Sequence, residues 1–295
     1  MISAIGFGLV EAAIVAIAAI GFTIQFAMTN VLNLAFGAVM GIAIFTGYDV
    51  EQALGGNFGQ WFSIIVGGAT GAVVSLLLYV LVLRPFLRRG AKLLTMVVIT
   101  VSASTVITYA LQLVVGSQQE TYGVSNGRLN QFAGFDLTTT QLVMVALAAA
   151  ITVSMTMLLR MTMFGKALRA TASNPTVAGA SGVPVRRIAD YAWLLSGALC
   201  GIGGIVLSIN IVSFSYSTGT VFITEVFAAA ILGGVGNPIG AVVGALIIGV
   251  VSEVAAAYTS PAYKDVFAFA ILILVLLVRP NGLMGTAQHR EALSQ

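Results

Sequence analysis

Long apolar runs separated by short polar segments follow one another along almost the whole chain. A helix that crosses the hydrocarbon core of a bilayer needs about 20 mostly apolar residues. The pattern predicts spanning helices at residues 4–26, 34–48, 61–83, 93–115, 139–159, 188–210, 239–257 and 263–279. A further apolar segment, 221–234, forms either a short span or one half of a re-entrant hairpin. The predicted fold is an all-α integral membrane bundle of about eight to nine transmembrane helices, a single domain over residues 1–295.

The composition agrees with a chain whose solvent is lipid. Hydrophobic residues make up 59% of the 295 residues and charged residues only 8%, whereas a soluble domain carries roughly 25% charged residues. The first 20 residues lack a basic segment before their apolar run, so we expect no cleaved signal peptide. The single cysteine, Cys200, excludes an internal disulfide. The single histidine, His289, lies in a polar tail, and no pattern indicates a metal site or a nucleic-acid partner.

Basic residues fall mainly on one side of the predicted topology. They form three groups, at 84–92, at 160–187, and at Arg279 with Arg290. The opposite side keeps only Arg128 and Lys264 against a larger number of acidic residues. Because cytoplasmic loops are enriched in Lys and Arg, we predict an external N-terminus and a cytoplasmic C-terminus. The polar loop 116–138, with a turn signal at Asn126-Gly127, is then external, either as a plain connector or as a surface for an external partner.

The polar segment 160–187 is too long for a simple turn and carries the signals of a short helix. Asn174 is a favourable N-cap and Pro175 a favourable first residue, while Gly182 suits a left-handed helix end. These signals predict a cytoplasmic helix over 175–181, preceded by a continuation of the fifth span into the cytoplasm. A helix this short is marginal in water, so it packs either on its own membrane domain or on a partner.

Three acidic residues, Glu11, Glu225 and Glu253, lie at or near the predicted membrane depth. An ionisable group is costly there and usually faces a cavity or a partner. For Glu225, contact with a substrate and simple exposure at the membrane interface are both open. We interpret Glu253 as a structural hydrogen-bonding residue and Glu11 as a partner in helix packing.

Polar residues in two further apolar segments are candidates for a polar pathway. Asn33 lies between the first two spans, either in an unwound turn that lines the pathway or as the N-cap of the second span. Thr100, Ser104 and Thr108 share one face of the fourth span through their i, i+4 spacing. They offer either a polar wall to a solute or hydrogen bonds for helix packing.

Four segments, in order, resemble one family of transporter subunits. Residues 33–37 (NLAFG) are similar to a family segment Asn-Phe-Ala-His-Gly, and 165–182 resembles the loop through which that family contacts an ATPase. Residues 230–240 (AILGGVGNPIG) are similar to its glycine-rich turn. Residues 279–285 (RPNGLMG) resemble its closing Arg-Pro-x-Gly-Leu-x-Gly. Over most of its length the chain therefore resembles the permease subunits of Liv-type branched-chain amino acid ABC importers.

The resemblance implies a subunit that forms half of the pathway of an ATP-driven importer in a bacterial cytoplasmic (inner) membrane. It also implies three kinds of partner: a second permease subunit, usually a related but different chain, two cytoplasmic ATPase subunits, and an external substrate-binding protein. The chain has no P-loop of the form GxxxxGK[ST]. We therefore expect a transport subunit that is not an enzyme and binds no cofactor, with ATP and Mg²⁺ used by the partner ATPases.

The residues and the resemblance together suggest roles for particular positions. Coupling to the ATPase is expected of Gly165, Arg169, Asn174, Pro175, Ala178, Ser181 and Gly182. The substrate pathway is expected to involve Asn33, Phe36, Thr100, Ser104 and Glu225. A turn that either acts as a hinge for alternating access or only permits close helix packing is expected at Gly233, Gly234, Gly236 and Gly240.

Two positions depart from the family and leave the cargo open. Phe36 stands where the family has a histidine, and Glu225 where many members have a lysine. A lysine pairs with a substrate carboxylate and a glutamate repels it, so a branched-chain amino acid is not assumed. The expected solute is branched-chain amino acid-like or another small polar molecule, and a neutral or cationic solute, or one with an amide or amino group, stays open. A self-sufficient secondary transporter or channel is the alternative function, although no clear internal repeat supports it. No Ser-His arrangement or metal cluster indicates a membrane-embedded enzyme.

Overall fold

The computed structural model describes residues 2–123, 129–132, 135–211, 213–260, 263–279 and 281–284. Within these ranges most residues are helical, so the predicted all-α membrane class is confirmed. The predicted turn at Asn126-Gly127, together with Arg128, His289 and Arg290, lies outside the described residues.

The helices follow one another with short links. They are α1 (Ile2–Thr29), α2 (Phe36–Leu54), α3 (Gly56–Leu77), α4 (Arg84–Arg88), α5 (Leu93–Val115), α6 (Thr139–Met161), α7 (Met163–Ser173), α8 (Pro175–Ala180), α9 (Val185–Ile211), α10 (Thr218–Gly233), α11 (Pro238–Tyr258) and α12 (Lys264–Val278). A π-helical turn, Leu78–Leu83, joins α3 to α4 without a break.

Six stretches of helix in the described part of the chain are long and apolar enough to cross a membrane. They are Ala4–Thr29, Phe58–Arg88, Leu93–Val115, Thr139–Met161, Val185–Ile211 and Pro238–Tyr258. The shorter α2, α10 and α12 have 19, 16 and 15 residues, and α2 carries two acidic residues near its end. The predicted count of eight to nine transmembrane helices is therefore not confirmed, because three of the apolar segments form helices that are shorter or more polar than a full span.

Helix α1 lies at the centre of the bundle. Of its most apolar stretch, 78% is buried inside the subunit, against 11% for α5 at the periphery. It packs against α11, α9, α6 and α10, and its buried Ile14, Ile17 and Ala18 belong to this core. The first span of the sequence is therefore a core helix, and α5 presents most of its surface outward.

The backbones of α3 and α9 touch where the two helices cross. A Cβ atom on Gly201 would lie 2.0 Å from the carbonyl oxygen of Gly67, and one on Gly197 would lie 2.3 Å from that of Gly71. Helices in lipid associate through close van der Waals packing, which favours small residues at their contacts. The glycine pairs therefore set the distance between α3 and α9.

Two short antiparallel ribbons accompany the helices. Strand β1 (Glu120–Thr121) pairs with β4 (Ser213–Phe214), and β2 (Leu129–Phe132) pairs with β3 (Phe135–Thr138). Tyr122, directly after β1, packs its ring 5.2 Å from that of Phe214, and its hydroxyl donates to the Ile44 carbonyl at 3.2 Å. The first ribbon thus fastens the loop after α5 to α2 and to the link before α10.

The fifth span does not continue into the polar segment, and the expectation of one uninterrupted helix was wrong. Thr162 is extended (φ −93°, ψ 159°), and it separates α6 from α7. Its Oγ1 accepts a hydrogen bond from the Gly165 amide at 3.2 Å, and Gly165 lies against the Leu159 backbone. The threonine cap and the close approach at the glycine fold α7 back, so the apolar periodicity belongs to a separate helix that buries Leu168.

The α3–α9 contact yields a matched pair of variants. Gly201→Ala places a methyl group against the α3 backbone and is expected to destabilise the protein by about 1–3 kcal/mol, the usual cost of overpacking. Gly203→Ala on the same helix should change little, because its Cβ would meet its nearest neighbour, the Ala18 Cβ, at 3.4 Å. Thermal melting of the detergent-purified protein measures the difference. Equal melting temperatures for the two variants would show that the α3–α9 contact is looser than described.

Candidate functional site

The predicted short helix is present as α8 and ends one residue earlier than expected. Asn174 is its N-cap: Oδ1 accepts hydrogen bonds from the amides of Thr176 at 3.1 Å and Val177 at 3.0 Å. Pro175 occupies the first helical position, where its missing N–H costs nothing. The helix therefore begins where the sequence signals place it.

The far end of α8 is closed by backbone geometry. Gly182 has a positive φ of 83°, a left-handed conformation that a glycine adopts without strain. The turn lets the Val183 amide donate to the Ala178 carbonyl at 3.0 Å, and the Ser181 hydroxyl donates to the Val177 carbonyl at 3.0 Å. The carbonyl groups that a helix end leaves free are thereby partly satisfied.

One side of α8 packs on its own subunit and the other is open. Ala178 is 4% exposed, whereas Val177 is 60% exposed, and Pro175 and Gly179 are also exposed. The contacts of α8 are with α7 and α9. Packing on the membrane domain therefore supplies the stability that so short a helix lacks, and an apolar outer face is left for a partner.

The other predicted coupling residues lie at the corner between α6 and α7. Gly165 is buried there, and the Arg169 guanidinium donates a hydrogen bond to the Leu159 carbonyl at the end of α6. Arg169 thus satisfies a carbonyl group that the helix end leaves without a partner. Its position indicates that it holds the corner from which α8 projects.

The link between α1 and α2 is an unwound turn in the interior of the bundle. Asn30 has a positive φ of 50°, and Val31 and Asn33 are buried. Asn33 Oδ1 accepts a hydrogen bond from the Ala35 amide at 3.1 Å, so the side chain stabilises the turn. Irregular backbone at membrane depth survives only beside protein or water; here protein encloses Val31 and Asn33, whereas Asn30 is exposed.

The structure places Thr100 against the turn that holds Asn33. Thr100 Oγ1 lies 3.2 Å from the Leu32 carbonyl in the unwound turn and 2.8 Å from the Val97 carbonyl of its own helix. Ser104 follows one turn later on α5 and is partly exposed. The buried hydroxyl of Thr108 has no hydrogen-bond partner among the described residues. These hydroxyl groups follow α5 outward from the turn.

Phe36 lies in the aromatic core of the subunit. It is 1% exposed, and its ring meets that of Phe22 edge-on at 5.9 Å. Phe22 in turn contacts Phe227 of α10 at 4.6 Å between ring centroids. A phenylalanine at this position therefore contributes to helix packing, and its side chain is withdrawn from any solvent-filled path within the single subunit.

Four ionisable side chains from four helices converge at the end of the bundle that holds the link between α11 and α12. Lys264, the first residue of α12, forms an ion pair with Glu253 of α11. Glu11 of α1 is 8% exposed and lies near Glu225 of α10. Lys264 is close enough to act electrostatically on both of these acids. Ionisable groups inside a membrane protein usually meet a partner, and Lys264 is the cation of this cluster, although one buried oxygen of Glu225, Oε2, has no hydrogen-bond partner among the described residues.

Lys264 is the member of this cluster that sequence reasoning did not identify as a site residue. The sequence places it at the start of the last predicted span, 263–279, where it serves only to mark the sidedness of the chain. In the structure it provides a cation beside Glu225, the position where many family members carry a lysine. The local charge therefore includes a lysine after all, supplied by another helix.

The glycine-rich turn between α10 and α11 is tied to the segment after α12. Gly234 and Gly236 have positive φ values of 105° and 91°, and a Cβ on Gly233 would lie 2.0 Å from the Gly240 carbonyl oxygen. The Leu283 amide donates to the Leu232 carbonyl at 2.8 Å. The four glycines thus allow a tight crossing of α10 and α11.

The fold and these features define a polytopic, all-α membrane protein with a short, capped helix that projects from the bundle. The family model described as branched-chain amino acid transport system / permease component matches residues 4–276. The chain belongs to this family.

Two relatives that match nearly the full length of this chain are named as permease proteins of branched-chain amino acid transport. The chain is 30% identical to the probable branched-chain amino acid transport permease protein LivH of Methanocaldococcus jannaschii, over 90% of this chain and 87% of that one. It is 29% identical to the high-affinity branched-chain amino acid transport system permease protein LivH of Escherichia coli K12, over 92% and 91%. The autoinducer 2 import system permease protein LsrC of Klebsiella pneumoniae is 31% identical over 46% of this chain and 42% of that one. No solved structure matches the chain.

The ionic cluster predicts a specific pattern of stability. Lys264→Met removes the cation and leaves the Glu253 carboxylate without its partner, which is expected to cost about 1–3 kcal/mol. Adding Glu253→Gln should recover part of this loss, because no unpaired carboxylate then remains at that position. Lys264→Arg keeps the charge and serves as the control. Thermal melting of the purified protein tests the series, and a double variant no more stable than Lys264→Met would argue against the pair.

Proposed function

We propose that this chain is the permease subunit of an ATP-driven solute importer and forms half of its translocation pathway. It acts with a second permease subunit, two cytoplasmic ATPase subunits and an external substrate-binding protein. The observation that carries the proposal is α8, a capped helix anchored by buried Ala178 whose outer face, around Val177, is open. A self-sufficient transporter has no evident use for such a surface.

The connections of α8 supply a route from the ATPase to the membrane. Asn174 ends α7 and begins α8, so the two helices move together. Both contact α9, and α9 packs against α1, α2 and α3. Force applied to α8 therefore acts on the core of the bundle, where rigid-body rocking of packed helices is a common form of switching.

The proposed cargo is a branched-chain amino acid or a similar small amino acid. Two observations support this class: the names of the relatives that match over most of the chain, and the presence of both acidic and basic groups in the cluster of Glu11, Glu225 and Lys264. The Glu225 carboxyl keeps a small amide-bearing solute as the second candidate. ATP and Mg²⁺ belong to the partner ATPases. The proposed setting is a bacterial inner membrane, with an external N-terminus and a cytoplasmic C-terminus.

Reconstitution tests the proposal directly. The chain is co-purified with its partner ATPases and second permease, placed in liposomes, and supplied with the loaded binding protein and labelled leucine. Uptake should require ATP on the side of the liposome membrane where the ATPases lie. It should stop when the binding protein is omitted. Uptake by this chain alone, without ATPase or ATP, would instead support the secondary transporter.

The exposed face of α8 generates a sharper prediction. Val177→Asp places a charge on the apolar outer face without touching buried Ala178, so docking should weaken while the membrane domain stays folded. We expect leucine uptake to fall at least about tenfold, which corresponds to a loss of about 1.4 kcal/mol in coupling. Val177→Thr keeps the side-chain shape and should retain most of the uptake. Normal ATP-driven uptake by Val177→Asp would remove α8 as the coupling element.

A further inference from the structure

An apolar groove opens on the outer surface of the bundle between α3, α6, α7 and α9. It has a volume of about 420 Å³ and is lined by Ala72, Leu158, Phe164, Tyr191, Leu194, Leu195 and Ala198. That volume falls within the roughly 300–1,000 Å³ of small-molecule sites. None of the lining side chains carries a charge, so the groove suits a hydrocarbon chain.

The groove exists because the chain breaks at Thr162. If α6 continued as a straight helix, Phe164 would extend past the bundle. Because the chain folds back at Thr162, the ring of Phe164 instead lies edge-on to the ring of Tyr191, with 6.4 Å between the ring centroids. This aromatic pair lies between α7 and α9. The remaining wall is the α9 face of Tyr191, Leu194, Leu195 and Ala198, which recurs at helical spacing.

The groove, together with the helix turn that precedes it on α9, matches one leaflet of a bilayer in length. On α9, Arg187 lies one turn before Tyr191 on the same face, and Ala198 lies at the far end of the groove. Eleven residues separate Arg187 from Ala198, about 16 Å at 1.5 Å per residue. Half of the hydrocarbon core measures about 15 Å. An acyl chain that begins near Arg187 therefore ends near the middle of the membrane.

Basic residues lie close in sequence to the groove-lining residues of α6, α7 and α9. The exposed cations of this region are Arg160, Lys166, Arg169, Arg186 and Arg187. Asp190 is the one acidic residue between positions 160 and 190, and it forms an ion pair with Arg84. Among the described residues, the other exposed cations meet no carboxylate. The local field is therefore positive and open to an anion.

We propose that this groove is a binding site for an anionic phospholipid of the same leaflet, with one acyl chain between α3, α6 and α9 and its phosphate group beside Arg187 and Lys166. Basic pockets between transmembrane helices are the usual sites for acidic head groups. The lipid would join α7 to α9 and so brace the corner that carries α8. This site is independent of the solute that the protein carries.

Lipid binding by the purified protein tests the site without a transport assay. The intact permease complex is exchanged into lipid-free detergent and titrated with phosphatidylglycerol or with phosphatidylcholine of identical acyl chains, and bound lipid is counted by native mass spectrometry. We expect one tight phosphatidylglycerol per copy of this chain. Phosphatidylcholine should bind at least about fivefold more weakly for each cation that contacts the head group.

Two kinds of variant separate the parts of the site. Ala198→Phe fills the groove and should weaken binding of both lipids, while Ala270→Phe, an exposed position on α12, should not. Arg187→Gln should lower the preference for phosphatidylglycerol about fivefold, while Arg88→Gln, another exposed cation, should leave it intact. If Ala198→Phe does not fold, Ala72→Leu fills the same groove from α3.

Three outcomes would overturn the proposal. Equal binding of the two lipids would mean that the groove binds acyl chains but does not distinguish the head groups. Binding unaffected by both groove-filling variants would place the lipid elsewhere. A cross-link to a second permease from a photoreactive residue placed at position 198, together with no retained lipid, would show that a second permease covers this face.

Discussion

The close contact of helix backbones at glycine and alanine is the constraint on which the other features depend. In lipid the apolar surfaces of two helices gain little by leaving their surroundings, so packing must be tight to be stable. A Cβ on Gly249 of α11 would lie 2.4 Å from the Ala12 amide nitrogen of α1, and the glycine pairs of α3 and α9 approach equally closely. These crossings make α1, α3, α9 and α11 one compact unit, against which the peripheral helices and the projecting α8 are positioned.

A second constraint explains how the chain departs from straight helices without leaving polar backbone exposed to lipid. Three of the breaks are capped by the side chain at the break itself: Thr162 before α7, Asn174 before α8 and Asn237 before α11. Asn33 stabilises the turn before α2 by accepting from the Ala35 amide. An unpaired backbone group at membrane depth is costly, and these short polar side chains are suited to satisfy the free amide groups of a helix start. The breaks are therefore stable turns, and they position the residues to which function is assigned.

Features that depend on contacts between neighbouring residues could be predicted from the sequence, and features that depend on the packing of distant helices could not. The α8 helix was predictable because Asn174, Pro175 and Gly182 act through neighbouring backbone atoms, within a few residues. The break at Thr162 was missed because apolar periodicity continues across it, and its cause is the contact of Gly165 with the Leu159 backbone. The ionic cluster was only partly predictable. The intramembrane acids are visible in the sequence, but Lys264 joins them through the packing of four helices that no local pattern records. Phe36 likewise reveals its place in the aromatic core only once α1, α2 and α10 are assembled.

The two ends of the compact unit differ in a way that bears on transport. At one end, Glu11 of α1 and Glu253 of α11 belong to a cluster that also holds α10 and α12. Toward the other, α7 and α8 rest on α9, and the glycine-rich turn joins α10 to α11. Helix α1 contacts both α9 and α11 along much of its length. A displacement of α9 therefore also disturbs the acidic cluster, unless the helices slide past one another at their glycine contacts. Packed crossings of this kind switch between discrete arrangements more readily than they deform. Movement at α8 is therefore best transmitted by the core as a whole, and the less enclosed helices α5 and α6 are the ones free to change their neighbours.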